Sequence, residues 1–248
     1  MLAVQDKPLE AVFISDLHLH PEEPAISSRF KAFIDWAAQN TKAVYILGDF
    51  FHAWSGDDGI DDWSKSIASQ LKWLSEQDVA LYYMHGNRDF LLGQAFASAA
   101  GITILPEPSV IQLGNNKILL VHGDRYCTND KSHQWFRRLT RSSWFAKLFL
   151  RLPLQFRKKV VAQVRQHSQE NYRKTPMQMD VVLKPMLAHM AKHAVTILIH
   201  GHTHKPGLRN HLYNNSEYKQ YVLSDWDDSP KLLCYYKSKG FKFSQALI

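Results

Sequence analysis

Five short stretches of the sequence end on residue types that bind metal ions: Asp16-Leu17-His18, Gly48-Asp49, Gly86-Asn87-Arg88-Asp89, His122-Gly123-Asp124 and Gly201-His202-Thr203-His204. Carboxylate and carboxamide oxygens mixed with imidazole nitrogens suit Mn²⁺, Zn²⁺ or Fe²⁺ better than Ca²⁺ or Mg²⁺. No thiolate joins them, which argues against a closed structural zinc site. Two such ions about 4 Å apart, bridged by a carboxylate, can hold a phosphate and activate water. Asp49 stands in the middle of the set as the bridging carboxylate. Each residue alone has an ordinary explanation. With 16 Asp and 13 His in the chain, an Asp-x-His arises about once by chance, whereas Gly-His-x-His and Gly-Asn-x-Asp are each expected about 0.03 times. Their joint appearance, each after an apolar run, carries the signal.

Those apolar runs are the elements that must do the positioning. Ala11–Ile14, Ala43–Leu47, Val79–Met84, Lys117–Val121 and Val195–Ile199 read as strands. If their ends share one edge of a sheet, the ligands converge. Between them, Pro24–Asn40 and Trp63–Glu76 carry apolar residues at spacings of three and four and read as amphipathic helices. The opening pattern is therefore β-α-β-α-β, with parallel strands and right-handed crossovers. Phe90–Ala100 reads as a short helix ending at Gly101, and Gly114-Asn115-Asn116 as a hairpin turn between Ser109–Leu113 and Lys117–Val121. Residues 130–192 read as mostly helical, with Tyr218–Ser224, Lys231–Tyr236 and Gly240–Phe243 as closing antiparallel strands. Two packed sheets with helices outside are expected, in one domain of 248 residues.

Hydrophobic residues make up 45% of the chain, enough for a sizeable core. Two cysteines, Cys127 and Cys234, do not make a disulfide framework and point to a reducing compartment. Residues 1–10 lack the apolar stretch of a signal peptide, and no run of about 18 apolar residues offers a membrane span. The formal net charge of +7 is concentrated. Residues 131–174 hold twelve Lys and Arg against one acid, Glu170, a net of +11, so the remainder is net negative.

Over most of its length the sequence resembles the calcineurin-like metallophosphoesterases. The resemblance implies an α/β fold, a four-layer αββα sandwich of two mixed sheets, here with a helical lid insertion at about 130–192. It implies one ion held by Asp16, His18, Asp49 and His204 and a second by Asp49, Asn87, His122 and His202, with catalysis resting on Asp49, Asn87, Arg88 and His122. Two positions depart from the wider family. Arg88 stands where a histidine is usual, and His52 where an acid is common. A guanidinium binds phosphate bidentately but cannot serve as a general acid near neutrality. That suits a leaving group needing no proton, such as a phosphate.

Longer stretches resemble one branch of the family. They are Asp16-Leu-His-Leu19, Ala53-Trp-x-Gly-Asp-Asp58, His85-Gly-Asn-Arg-Asp-Phe-Leu-Leu-Gly93, His122-Gly-Asp-x-x-Cys-Thr-x-Asp130 and Ile199-His-Gly-His-Thr-His204. The branch comprises the Mn²⁺-dependent pyrophosphatases of lipid A synthesis, which act on a UDP-linked diacylated glucosamine. It implies two Mn²⁺ per chain, a UMP product, and substrate contacts on Asn87, Arg88, Asp130, Ser168, Asn171, Lys174 and His202. The Ser168–Asn171 spacing is one shorter than the branch leads one to expect, which makes Tyr172 and Thr175 the alternatives to Asn171 and Lys174. A monomer at the cytoplasmic face of the inner membrane, peripheral and without nucleic acid, is the expected setting.

The basic segment interleaves Arg and Lys with Trp135, Phe136, Trp144, Phe145, Leu148, Phe149 and Phe156. Three readings apply: a helical cap with a solvated basic face, a lid that holds acyl chains at an anionic bilayer, or a nucleic-acid surface. The many Leu and Phe residues favour lipid. The rivals for the whole chain are a phosphodiesterase or nuclease on the same metal site, which salt-sensitive nucleic-acid binding would reveal, and a metal-binding scaffold, which would lack a ligand.

Overall fold

The computed structural model describes residues 7–170 and 180–245, with backbone alone at 143 and 167–170. Two sheets form the centre. Strands β1 (Ala11–Ile14), β2 (Ala43–Ile46), β3 (Ala80–Met84) and β4 (Thr103–Leu105) run parallel, and β10 (Lys231–Tyr236) and β11 (Gly240–Gln245) extend that sheet antiparallel on the β1 side. The second sheet has the order β5 (Ser109–Leu113), β6 (Asn116–Leu120), β7 (Ile197–His200), β9 (Ser216–Val222), β8 (Gly207–Tyr213), with β6, β7 and β9 parallel. Both sheets are mixed.

Alternation along the strands builds four layers, because successive side chains point to opposite faces. Val12, Ile14, Val44, Ile46, Leu81 and Tyr83 face outward onto helices α1 (Pro24–Asn40), α2 (Asp62–Ser75) and α3 (Gln94–Ala100). Ala11, Phe13, Tyr45, Leu47 and Met84 face inward against Ile118, Leu120, Ile197, Ile199 and Leu223 of the second sheet. The Phe13 and Tyr45 rings stack there at 4.9 Å. Each such buried side chain is worth roughly 1.5–3 kcal/mol relative to exposure. Leu119, Val121 and Leu198 form the remaining face, covered by Met186, Leu187 and Met190 of α7 (Leu183–Lys192). Helices α4 (Lys131–Thr140), α5 (Ser143–Phe149) and α6 (Leu154–Glu170) follow β6 in the chain.

Three departures from the sequence expectations have local causes. Helix α3 begins at Gln94, not Phe90, because its first turn is capped from elsewhere: Asp57 accepts the Gly93 N–H at 2.8 Å and the Phe96 N–H at 2.9 Å. Strand β8 goes unread because its turn is Asn214-Asn215, both left-handed at φ 49° and 59°, in place of the Asn-Gly that signals a hairpin. Strand β4 is only three residues long and half buried. Among the described residues no helix is long and apolar enough to cross a membrane.

Candidate metal centre and active site

The five ligand-bearing strand ends belong to two sheets rather than one edge. β1, β2 and β3 deliver Asp16, His18, Asp49 and Asn87, and β6 and β7 deliver His122, His202 and His204. Backbone hydrogen bonds zip the loops pairwise: Asp16 N–H donates to Gly48 O and His18 N–H to Asp49 O, both at 3.0 Å, and Gly201 N–H donates to His122 O at 2.8 Å. Further bonds join the two sheets. The His202 N–H donates to Asp16 Oδ2 at 2.8 Å, and the His122 ring, as its Nδ1–H tautomer, donates to Leu47 O at 2.8 Å. That bond leaves His122 Nε2 as the ligating atom.

The loops are strained into shape. Asp16, His18, Asp49, His202 and His204 all hold positive φ, between 52° and 67°. Non-glycine residues in this region are uncommon, and such strain gathers at functional sites. At Gly48, with φ 88°, an added Cβ would lie 2.5 Å from the Gly86 nitrogen and 2.8 Å from the His122 ring, so only glycine fits. The fully buried Asp89 carboxylate accepts the Phe50 N–H at 2.7 Å and the Gly86 N–H at 2.8 Å, tying the β2 and β3 loops together.

Two clusters of ligand atoms result: Asp16, His18 and His204, and Asp49, His122 and His202. Asp49 joins them, with Oδ2 3.5 Å from His18 Nε2 and Oδ1 3.6 Å from His122 Nε2. Asn87 Oδ1 lies 3.0 Å from His122 Nε2. The residues fit divalent cations. Asp16 Oδ1 and His18 Nε2 are buried without hydrogen-bond partners, an arrangement that costs stability unless something cationic satisfies them. The charge balance agrees. Burial should lower the pKa of His122, yet Asp49, Asp16 and Asp124 raise it to about 9. Burial likewise opposes protonation of His204, yet Asp16 and Asp225 raise its pKa to about 10. His202, buried and beside His122, is pushed down to about 3. The carboxylates thus draw positive charge into the site.

Arg88 Nε lies 3.2 Å from Asp49 Oδ2, and the Arg88 N–H donates to Asp49 Oδ1 at 2.9 Å. Its guanidinium opens onto a cavity of about 480 Å³ walled by Phe90, Phe136, Phe145, Phe149 and Val164. Arg165 lines the same cavity, and its Nε is buried without a partner. Burial, then the Arg88 charge, lowers its pKa to about 10. Two guanidiniums lining one cavity beside Asn87 repel each other, and an anion between them relieves that repulsion, which suits this end of the cavity to a phosphate.

Sequence reading missed Arg165, Asp89 and His133. His133 stacks on His202 with ring centroids 5.4 Å apart and lies 3.6 Å from the buried Asp124. Of the expected substrate contacts, Asn87, Arg88 and His202 gather at the centre. Asp130 serves as the N-cap of α4, accepting the His133 N–H at 3.0 Å. Ser168 lies on α6, and Asn171 and Lys174, with the alternatives Tyr172 and Thr175, fall outside the described residues. Phe145 and Phe149 line the cavity, whereas Trp144 is exposed. His52 sits behind Arg88, its Nδ1 3.5 Å from the guanidinium, and burial with that charge lowers its pKa to about 4.

Comparison with known proteins places this arrangement. A relative from Pseudomonas putida named UDP-2,3-diacylglucosamine hydrolase is 44% identical over 87% of this chain and 90% of its own. One from Escherichia coli with the same name is 42% identical over 88% of this chain and 91% of its own. Among solved structures, an archaeal phosphodiesterase aligns over 95% of this chain and 98% of its own at 12% identity and a TM-score of 0.46. The description of the calcineurin-like phosphoesterases, a family of divalent-metal enzymes, matches residues 10–206, and with such relatives this chain belongs to that family.

Proposed function

We propose that this chain hydrolyses the pyrophosphate bond of UDP-2,3-diacylglucosamine, giving UMP and 2,3-diacylglucosamine 1-phosphate in lipid A biosynthesis. The observation that carries the reading is the cavity, rich in phenyl and valine side chains, that is lined also by Asn87, Arg88 and Arg165, with Arg88 in turn 3.2 Å from Asp49. A generic phosphodiesterase has no use for a phenyl-lined cavity of about 480 Å³ beside its phosphate site. The relatives' shared name points the same way.

Asp16, His18, Asp49 and His204 would hold one ion, and Asp49, Asn87, His122 and His202 the other, with Mn²⁺ as the ion. Bound there, the ions supply Lewis acidity and lower the pKa of water. Water adds to the α-phosphorus and gives up a proton to solvent, the bond from that phosphorus to the bridging oxygen breaks, and the lipid-sugar phosphate leaves. Arg88 and Arg165 bind the phosphate oxygens and offset the charge that gathers as the bond breaks. Neither donates a proton, and a phosphate leaving group needs none. Asp89 and Gly48 hold the loops, and the His122 Nδ1–H bond to Leu47 aims the ring.

Helices α4–α6 act as the lid. Phe90, Phe136, Phe145 and Phe149 enclose acyl chains, while Trp135, Trp144, Leu148 and Phe156, each more than half exposed, face outward among basic residues. That outer face suits the interface of an anionic bilayer, and the chain works as a peripheral monomer at the cytoplasmic face of the inner membrane. The test is UMP release from UDP-2,3-diacylglucosamine in mixed micelles, with Mn²⁺ and with chelator, beside a soluble phosphodiester. Fast, chelator-sensitive UMP release with little diester hydrolysis is expected. Diester hydrolysis without UMP release would refute the substrate.

A further inference from the structure

A second cavity, about 240 Å³, shares the Trp54 side chain with the first. Its near rim comes from the two loops that carry ligands of the first ion: Leu19, His20 and Pro21 follow His18, and Ala53 to Gly56 follow Asp49. Its far wall is Trp63 of α2 and Lys158 of α6. Short steps link it to the reacting centre. The His20 ring is 5.2 Å from His52, His52 Nδ1 is 3.5 Å from the Arg88 guanidinium, and Arg88 Nε is 3.2 Å from Asp49.

Resting on the substrate proposed above, we propose that this cavity holds the uridine half of the substrate, with the base on the Trp63 indole. Hydrolysis at the α-phosphorus divides the substrate into a lipid half and a nucleoside half on either side of the phosphate site. The two cavities share Trp54, and the His20–His52–Arg88 steps tie the smaller one to that site. The larger one carries four phenyl and three valine side chains beside its polar groups, an apolar stretch that suits acyl chains and offers a base no hydrogen bonds, so it takes the lipid half. The smaller one mixes aromatic and polar groups. An indole face stacks any base. Asp61 is already engaged, capping α2 through the Ser64 N–H at 2.9 Å. The His20 Nδ1 accepts the Glu22 N–H at 3.3 Å. The exposed Lys158 ammonium and His20 Nε2 are therefore the groups that recognise uracil carbonyls or ribose hydroxyls. Lys158 lies on the same helix as Arg165, so one helix would hold both halves of the substrate.

The experiment is calorimetric titration of UMP into the Mn²⁺-loaded protein and its Trp63→Ala and Lys158→Ala variants, with KM and kcat for UMP release measured beside it. UMP should bind at least tenfold more weakly to Trp63→Ala and about threefold more weakly to Lys158→Ala, with KM rising in step and kcat moving less than twofold. Unchanged UMP affinity in both variants overturns the proposal, as does an equal loss on a phosphodiester that lacks a nucleoside. Trp63 also touches Phe51 in the core, so a Trp63→Ala protein that fails to fold is replaced by Trp63→Leu, which fills the space without an indole. The two readings fail separately. Trp63-dependent UMP binding without cleavage of the lipid substrate sinks the substrate and keeps the nucleoside site. Rapid UMP release with unchanged UMP affinity in the variants does the reverse.

Discussion

Replacing Asp49 by Asn perturbs the centre at the point where both clusters meet. The shape survives, because the amide oxygen can still accept the Arg88 N–H that lies 2.9 Å from Oδ1. One negative charge disappears at 3.2 Å from Arg88 Nε, 3.5 Å from His18 Nε2 and 3.6 Å from His122 Nε2. At 3.5 Å and an effective dielectric near 20, a pair of unit charges is worth about 5 kcal/mol. Roughly half of that is recovered, because a buried amide escapes the desolvation penalty of a buried carboxylate. The remaining ~2–3 kcal/mol corresponds to about 100-fold in the affinity of each ion. Activity should fall by about 10³-fold or more at ion concentrations that saturate the unmodified protein.

Competition against a chromophoric chelator measures the affinities, and UMP release across an ion titration measures the rate. The ion-free protein gives a second readout. Against burial, Asp49 is the leading charge that raises His122 to about 9, so in the Asn variant the His122 imidazole should lose its proton at distinctly lower pH by NMR. Fold stability should change little, within about 1 kcal/mol, because Asp49 also repels the buried Asp89, whose pKa burial and that charge together raise. A variant that binds both ions and turns over like the parent would refute the bridging role.

Arg88→Lys keeps the charge but loses the planar fork that binds phosphate, so kcat should drop by about 10²-fold; an unchanged kcat would remove Arg88 from the reaction. Phe145→Ala with Phe149→Ala should raise KM for the lipid substrate about tenfold while a soluble phosphodiester changes less than twofold, and equal losses on both would argue against an acyl cavity. Stability should also fall in acid through His200, which is fully buried between Gly201 O and Gln220 Nε2, each at 2.8 Å. Burial lowers its folded pKa from 6.5 to about 4, so between those values the unfolded chain binds a proton that the folded one does not. Its contribution is complete above pH 6.5 and is lost as pH falls toward 4, by roughly 3 kcal/mol at most. Urea midpoints at pH 7 and 5 should therefore differ less in His200→Gln than in the parent.

The ligand set was legible because its pieces rarely arise by chance and each follows an apolar run. Its two-sheet origin was not. A strand end shows where a side chain leaves the sheet but not which sheet it leaves, and here β6 and β7 are tied to the site by bonds such as His202–Asp16 and His122–Leu47. Asp89 shows the same limit. It reads as the last letter of a motif, while its work, accepting N–H groups from residues up to 40 positions away, appears only in three dimensions. The aromatic content of the basic segment pointed to lipid, yet of the neighbours Trp144 and Phe145 on α5 only Phe145 lines the cavity, and Trp144 is exposed. One residue on a helix turns the side chain by about 100°, so composition alone could not say which ring lines the cavity.

Charge needs the same correction. Read as a run, the twelve basic residues of 131–174 look like one solvated or membrane-facing surface. Four of them turn inward. Arg137 bridges the buried Glu107 at 2.8 Å and Asp124 at 3.1 Å, and Arg141 donates to the His85 and Gly86 carbonyls at 3.0 Å each. Arg157 is buried and pairs with Asp58 and the Ser55 carbonyl, and Arg165 faces Arg88 in the cavity. Arg137 and Arg141 thus root α4 beside the Asn87 loop, so the lid's base is fixed by ion pairs close to the metal ligands. Lys131, Arg138, Lys147, Arg151, Lys158 and Lys159 are the exposed basic residues of the segment among those described. At about 1 kcal/mol for each that reaches an anionic surface, this smaller set gives a weak, salt-sensitive attraction that needs the exposed Trp and Phe side chains beside it to hold a bilayer.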